Sequence, residues 1–161
     1  FTTNAIQEPA FSADGTKILY AFENNLYVHD LVSGASIQIT NDGKKLYMSD
    51  GSEKIYILNP ETLKIEDFIN VYTNGVKIEQ VNELEWVNGK IWANIYQKDS
   101  IAIINPKTGA VENVINCSDL KGKVTQHSDL DYFNGIAYNP ATKTYFVTGK
   151  NWDKTFEIVV E

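Results

Sequence analysis

Apolar residues in this chain come in short runs, some alternating with polar residues and some continuous in β-branched and aromatic side chains, and nearly every run is closed by Gly, Pro, Asn or Asp. Period-2 patterning with turn punctuation predicts strands and tight reversals, and helical periodicity is nearly absent. The clearest runs lie at 17–22, 26–31, 36–40, 45–48, 54–58, 64–71, 83–87, 90–96, 100–104, 111–116, 134–138, 144–148 and 155–160, with a weaker one at 9–12. Together they make about fourteen strands by the period-2 criterion. The pattern predicts an all-β fold of antiparallel hairpins.

The runs also repeat. A turn (Asp14-Gly15, Asp42-Gly43, Asn88-Gly89) precedes a strand that opens on Lys and carries an aromatic: Lys17 to Tyr20, Lys45 to Tyr47, Lys90 to Trp92, and a looser copy from Lys143 to Tyr145. A second strand follows each, and two of these end in Asn-Pro-x-Thr, at 59–62 and 105–108, where Pro presets φ for the next reversal. Four-stranded units at this period are the sequence form of propeller blades, which bury their faces by stacking around an axis. The expected architecture is one domain over 1–161, a partial or small ring of about three and a half to four four-stranded blades. One spacing is irregular: Gly43 to Gly89 spans 46 residues, room for four strands, but Gly15 to Gly43 spans only 28. Residues 36–40 are expected to close the first unit or open the second, not both, so the seam reads as a junction.

Composition narrows the functions. At 161 residues with 43% hydrophobic and 12% aromatic content, the chain has material for a packed core. Its net charge of −7 argues against nucleic-acid partners. No apolar run approaches a membrane-spanning length, so no membrane partner is expected. The single cysteine, Cys117, excludes an internal disulfide and a cysteine-rich zinc site. The opening Phe1-Thr2-Thr3-Asn4 does not read as a secretory signal, and the sequence assigns no compartment.

From about residue 42 to 161, several long stretches resemble the plant and bacterial type of glutaminyl-peptide cyclotransferase, a five-bladed propeller family. They are Asp42-Gly-Lys-Lys-Leu-Tyr-Met-Ser-Asp-Gly51, Val81-Asn-Glu-Leu-Glu-Trp-Val-Asn-Gly89, Ile91-Trp-Ala-Asn-Ile-Tyr96, Asn134-Gly-Ile-Ala-Tyr138 and Phe146-Val-Thr-Gly-Lys150. Residues 1–41 instead resemble a blade of the dipeptidyl peptidase IV-like propeller, through Ala10-Phe-Ser-Ala-Asp-Gly15, Asn24-Asn-Leu-Tyr-Val28 and Ile37-Gln-Ile-Thr-Asn-Asp-Gly-Lys44. The two patterns meet at a shared turn, 41–45. Both parental families are mostly secreted or periplasmic.

The cyclotransferase resemblance implies cyclisation of an N-terminal glutamine to pyroglutamate with loss of ammonia, a reaction that needs a proton donor for the leaving nitrogen, a polarising group for the amide and aromatic walls. It carries Asn82 onto the family's substrate-amide-binding Asn, Lys150 onto a pocket Lys, and Tyr96 onto a pocket Trp. Ile37 falls on another pocket Trp. The family's acid, a Glu, lies upstream of every matching stretch, so no catalytic residue is expected to be intact. Tyr132-Phe133 replaces smaller aliphatics, a swap that overpacks a core by roughly 1–3 kcal/mol unless it fills a new interface. No metal or cofactor is implied.

Read without the resemblance, the same residues have plainer roles. Asn82 fits a bulge or turn, Lys150 a solvated loop cation, and Glu83 with Glu85 a strand's solvent face. Trp86, Trp92 and Trp152 read as packing residues, and His29 and His127 as structural or exposed. Asp119, Asp129 and Asp131 lack calcium-loop spacing, and Cys117 reads as buried and inert. The leading expectation is therefore an inert chimeric propeller scaffold, with a glutaminyl cyclotransferase as the alternative and a peptide-binding propeller as a third. A partial ring exposes sheet faces and edges, so self-association as a homodimer is expected, alongside a possible ligand peptide with N-terminal Gln.

Overall fold

The computed structural model describes residues 7–12, 15–22, 25–32 and 36–160. Seven strands form one antiparallel meander: β1 (Gln7–Phe11), β2 (Lys17–Phe22), β3 (Asn25–Asp30), β4 (Ser36–Asn41), β5 (Leu46–Ser49), β6 (Lys54–Leu58) and β7 (Ile65–Asn70). A small hairpin, β8 (Tyr72–Thr73) and β9 (Val76–Lys77), leads to a four-stranded meander of β10 (Val81–Val87), β11 (Lys90–Ile95), β12 (Ser100–Ile104) and β13 (Val111–Asn116). A 3₁₀ turn at Lys121–Lys123 precedes the last sheet, β14 (Phe133–Asn139), β15 (Thr144–Gly149) and β16 (Phe156–Ile158). The all-β, antiparallel expectation holds. The β8–β9 hairpin was not expected, although Asn74-Gly75 at its tip, both with positive φ, is a strong two-residue hairpin signal.

The irregular spacing has a structural explanation that differs from the expected junction. β4 is bonded along both edges: Leu26 faces Ile39 and Val28 faces Ile37 across β3, while Ile39 faces Met48 and Thr40 faces Tyr47 across β5. One strand therefore serves both units, which the sequence reading had excluded. The 28-residue step is a shared strand, not a lost one.

The sheets pack face to face. β10 lies beside β4 on one side and β14 on the other. The core between the first two sheets joins Tyr47, Ile55 and Val71 to Leu84, Ile91 and Ile104. The next core joins Trp92 and Ile101 to Phe133, Tyr145 and Val147. Full burial of one such aliphatic side chain stabilises by about 1.5–3 kcal/mol, so these interfaces dominate the fold's stability. Aromatic stacks bridge successive sheets: Tyr47 on Trp86 with centroids 5.4 Å apart, and Trp92 on Tyr145 at 4.3 Å. The tryptophans are packing residues, as read from the sequence, and the Trp152 indole N–H donates to the Asp131 carbonyl at 3.1 Å.

The repeated motifs have repeated bonds. Asn59 Oδ1 accepts the N–H groups of Glu61 and Thr62, and Asn105 Oδ1 accepts that of Lys107, closing the two Asn-Pro turns. The strand-opening lysines pair across the sheet, Lys45 with Glu66 at 2.9 Å and Lys90 with Glu112 at 2.7 Å. Of Tyr132-Phe133, Phe133 is fully buried against Trp152, while Tyr132 is exposed at the rim. Among the described residues, no helix is long and apolar enough to cross a membrane, and no group of His, Cys, Asp and Glu gathers to hold a metal ion, so Asp119, Asp129 and Asp131 do not converge.

Candidate functional site

Two matching β-bulges build the site. In β10 against β11, Val81 faces Ile95 and Leu84 faces Ala93, so Asn82 and Glu83 together stand opposite Asn94. In β14 against β15, Phe133 faces Gly149 and Ile136 faces Val147, so Asn134 and Gly135 stand opposite Thr148. A bulge bends its strand and re-aims its side chains, and here it does so at the same end of two neighbouring inner strands. The plain reading of Asn82 as a bulge residue is thus correct as geometry, and the bulge is what brings it to the site.

The bulges are latched to the preceding sheet. Ser49 Oγ donates to the Asn82 carbonyl at 2.5 Å, and the Gly135 N–H donates to Asn94 Oδ1 at 3.2 Å. Ser49 and Asn94 each lie four residues past their strand-opening lysine, so the latch is a repeat feature of the fold. Asn94 is 0% exposed, and its Nδ2 has no partner among the described residues.

Asn82 Nδ2 donates to Asn134 Oδ1 at 3.1 Å, tying the two bulges together. Burial raises the Glu83 carboxyl above the usual range, opposed less strongly by the charge of Lys150 and by the Asn134 side chain. Lys150 is exposed, with Nζ 4.8 Å from the centroid of the Tyr96 ring, so it lies over an aromatic face and is not a free loop cation. Tyr96 meets Tyr132 edge-on at 5.3 Å. Main-chain bonds hold this corner: the Asp131 N–H donates to the Lys150 carbonyl and the Lys150 N–H to the Tyr132 carbonyl. Glu83, Asn134, Thr148 and Thr155 line a cavity of about 260 Å³. A larger cavity of about 480 Å³, between the β8–β9 hairpin and β12–β13, holds none of the residues singled out from the sequence.

A sequence model of the family described as glutamine cyclotransferase matches residues 14–160. The chain belongs to the glutamine cyclotransferase family. It is 39% identical over 122 residues to the glutaminyl-peptide cyclotransferase of Arabidopsis thaliana, a match covering 74% of this chain and 38% of that protein. The chain thus spans well under half the length of this curated relative. The crystal structure of Myxococcus xanthus glutaminyl cyclase superposes with a TM-score of 0.71 at 26% identity, over 100% of this chain and 76% of that one. The fold is therefore that of a glutaminyl cyclase propeller.

Membership of the glutamine cyclotransferase family overturns the spliced scaffold. The family match runs unbroken through 41–45, where the junction was expected, and takes in most of the segment likened to dipeptidyl peptidase IV; nothing supports a fusion. The resemblance of 42–161 was real but too narrow, because the shared strand β4 made a continuous family pattern look interrupted.

Of the site residues read from the sequence, Asn82 is joined to the Glu83–Asn134 cluster, and Lys150 to Tyr96. The side chain of Ile37 lies outside the described residues. Glu83 and Glu85 were misread as a solvent face: both are half-buried, and Glu85 accepts the Tyr138 N–H at 2.9 Å. Asn134 was quoted in a motif but given no role. The signal was present in the parallel of Val81-Asn-Glu-Leu84 with Phe133-Asn-Gly-Ile136. Cys117 is buried, and burial with the nearby Asp99 charge pushes its thiol up to about 11, so it is inert. His127 Nε2 lies 3.0 Å from the Asn151 carbonyl, a structural contact between two loops.

Burial raises Glu85 as well, partly offset by the Tyr138 N–H. A carboxyl raised in the folded state favours folding below its unfolded value, near about 4.3, and loses that contribution as pH rises through its folded value. Glu85→Gln keeps an acceptor for Tyr138 without the charge. It is expected to raise Tm at pH 7 and to give no gain below about pH 4, as thermal unfolding at the two pH values will test.

Proposed function

We propose that this chain carries a glutaminyl-peptide cyclotransferase site that binds a peptide with an N-terminal glutamine at the mouth formed by the two bulges. The observation behind this reading is the convergence of Asn82, Asn134 and Glu83 on one cluster, with Lys150 and Tyr96 at its rim. In the reaction the terminal amine nitrogen bonds to the side-chain amide carbon, the carbon–nitrogen bond of the carboxamide breaks, and ammonia leaves. One proton moves from the attacking to the leaving nitrogen, and neither water nor a cofactor is consumed.

Each residue has a task in that scheme. Asn82 holds the carboxamide. Lys150 supplies positive charge where oxyanion character develops. Tyr96 and Tyr132 form an aromatic wall against solvent. Glu83, half-buried and raised above the usual carboxylate range, is the group of this chain suited to take the proton from the amine and return it to the leaving nitrogen. Ammonia release from a glutaminyl peptide tests the proposal: turnover that Glu83→Gln abolishes supports it, and a folded protein with no turnover contradicts it.

We further propose that the outer face of β14–β15 docks against a second copy of the chain. Phe146 stands where Tyr47 and Trp92 stand in the preceding sheets, two residues before the latch position that Ser49 and Asn94 hold there and Thr148 holds here. Tyr47 and Trp92 stack on the next sheet, whereas Phe146 is 36% exposed. Continuity with two existing interfaces points to another sheet of the same kind. Sedimentation is expected to give an assembly of two 18.1 kDa chains; a monomer at micromolar concentration contradicts it.

A further inference from the structure

Two ammonium groups reach the rim of the mouth from different segments. Lys150 follows β15, and its Nζ lies over the Tyr96 ring. Lys121 comes from the 3₁₀ turn, and its Nζ lies 5.3 Å from the centroid of the Tyr132 ring. Tyr132 meets Tyr96 edge-on, so the two cations flank one continuous aromatic wall. Contact with a ring face holds an ammonium in place without cancelling its charge. The turn that carries Lys121 is itself fixed. Leu120 packs against the core that holds Phe133 and Trp92, and Val124 is buried. Gln126 Nε2 donates to the Lys121 and Val124 carbonyls, each at 2.9 Å. Lys121 is half-buried, whereas Lys123 in the same turn is exposed. A long side chain already laid along a ring has less rotamer freedom to lose when it meets an anion.

The chain's own carboxylates leave these charges open. Among the described residues, Lys121 and Lys150 form no ion pair; those present belong to Lys17, Lys45, Lys77 and Lys90. Acidic side chains of the neighbouring loops are turned to other donors. Asp131 Oδ1 accepts the Tyr132 N–H at 2.8 Å, and Asp129 Oδ1 accepts the Ser128 hydroxyl at 3.3 Å. Asp153 accepts the N–H and the hydroxyl of Thr125, one on each oxygen. Lys150 also favours the Glu83 carboxylate, which leaves Lys121 as the rim cation open to a ligand.

We infer that Lys121 is a specificity-determining residue that meets a carboxylate just behind the substrate's N-terminal residue, so that the site prefers glutaminyl peptides with Asp or Glu at the second or third position. This rests on the reading of the mouth as the site for an N-terminal glutamine, and it names the class of peptide that follows that glutamine. With the glutamine at Asn82 and Glu83, the rest of the peptide leaves past the rim, along the Tyr96–Tyr132 wall. The two rings have centroids 5.3 Å apart. Extended chain rises about 3.3 Å per residue, so the wall spans about two residues.

Ammonia release from two C-terminally amidated peptides, Gln-Glu-Glu-Ala-Ala and Gln-Gln-Gln-Ala-Ala, tests the inference. At low salt kcat/KM is expected to favour the acidic peptide about threefold to fivefold, the size of an exposed ion pair. The gain should lie in KM, because the contact is made alike in ground and transition states. It should vanish in about 1 M salt. Lys121→Gln keeps the length without the charge. It is expected to bring the ratio below about 1.5 and to leave the neutral peptide's kcat/KM within about twofold. Lys121→Glu is expected to invert the preference. Lys107→Gln, exposed in the second Asn-Pro turn, is expected to leave the ratio unchanged. A ratio that survives Lys121→Gln, or both peptides slowed equally, overturns the inference and leaves the function standing. If neither peptide is turned over, the function reading fails, and calorimetric titration with the same pair decides the inference. Tighter binding of the acidic peptide that Lys121→Gln removes supports it; equal binding, or none, overturns it.

Discussion

Replacing Asn82 by alanine is expected to lower kcat/KM for a glutaminyl peptide by about 10- to 100-fold, the cost of leaving the carboxamide without its hydrogen-bond partner. The loss is expected mainly in kcat if Asn82 acts more strongly as the carboxamide becomes tetrahedral, and in KM if it binds substrate and transition state alike. Stability should change little by comparison. The Asn82 carbonyl, which anchors the bulge through Ser49, is main chain and survives the substitution. What is lost is the bond to Asn134, worth about 0.5–1.5 kcal/mol. Steady-state kinetics alongside thermal unfolding will separate the two effects; a variant within threefold of the parent removes Asn82 from the site.

The largest stability effect is expected at Gly109. Its N–H donates to the Asn105 carbonyl and its carbonyl accepts the Tyr72 N–H, so it links the Asn-Pro turn to the β8–β9 hairpin. Its φ is +80°, and a Cβ there would lie 1.9 Å from the Asn70 carbonyl oxygen, which is main chain and cannot swing aside. Gly109→Ala should therefore cost more than about 4 kcal/mol, lowering Tm by about 10 °C or more. Gly89 is the control: its φ is +83°, but nothing lies within 4 Å of a Cβ. Gly89→Ala should show the left-handed backbone penalty alone, about 1–2 kcal/mol. Equal losses at the two positions would mean that the close approach to Asn70 does not exist in solution.

Strand positions were legible in the sequence because each run is set by local alternation and closed by its own turn. What local pattern could not show was pairing. Residues 36–40 look alike whether they bond on one edge or two, and only the registers of Ile39 with Leu26 and Met48 reveal that β4 is shared. The inert-scaffold reading grew from that ambiguity. Glu83 was misjudged for a related reason. Strict alternation assigns Glu83 and Glu85 to one face, but the bulge after Val81 breaks the alternation, and β4 and β14 flank the strand and remove its solvent. Asn82, Lys150 and Tyr96 were found through long motifs. Their partner Asn134 was passed over although Phe133-Asn-Gly-Ile136 parallels Val81-Asn-Glu-Leu84, because the bond that joins the two motifs spans 52 residues.

The central claim is that the mouth between the β10 and β14 bulges is where an N-terminal glutamine binds. Resonance mapping during titration with a glutaminyl peptide tests it most directly. The account predicts saturable shifts at Asn82, Glu83, Tyr96, Asn134 and Lys150, absent with a peptide whose N-terminal glutamine is replaced by alanine. Shifts gathered instead around the cavity beside the β8–β9 hairpin, or identical shifts with both peptides, would contradict it.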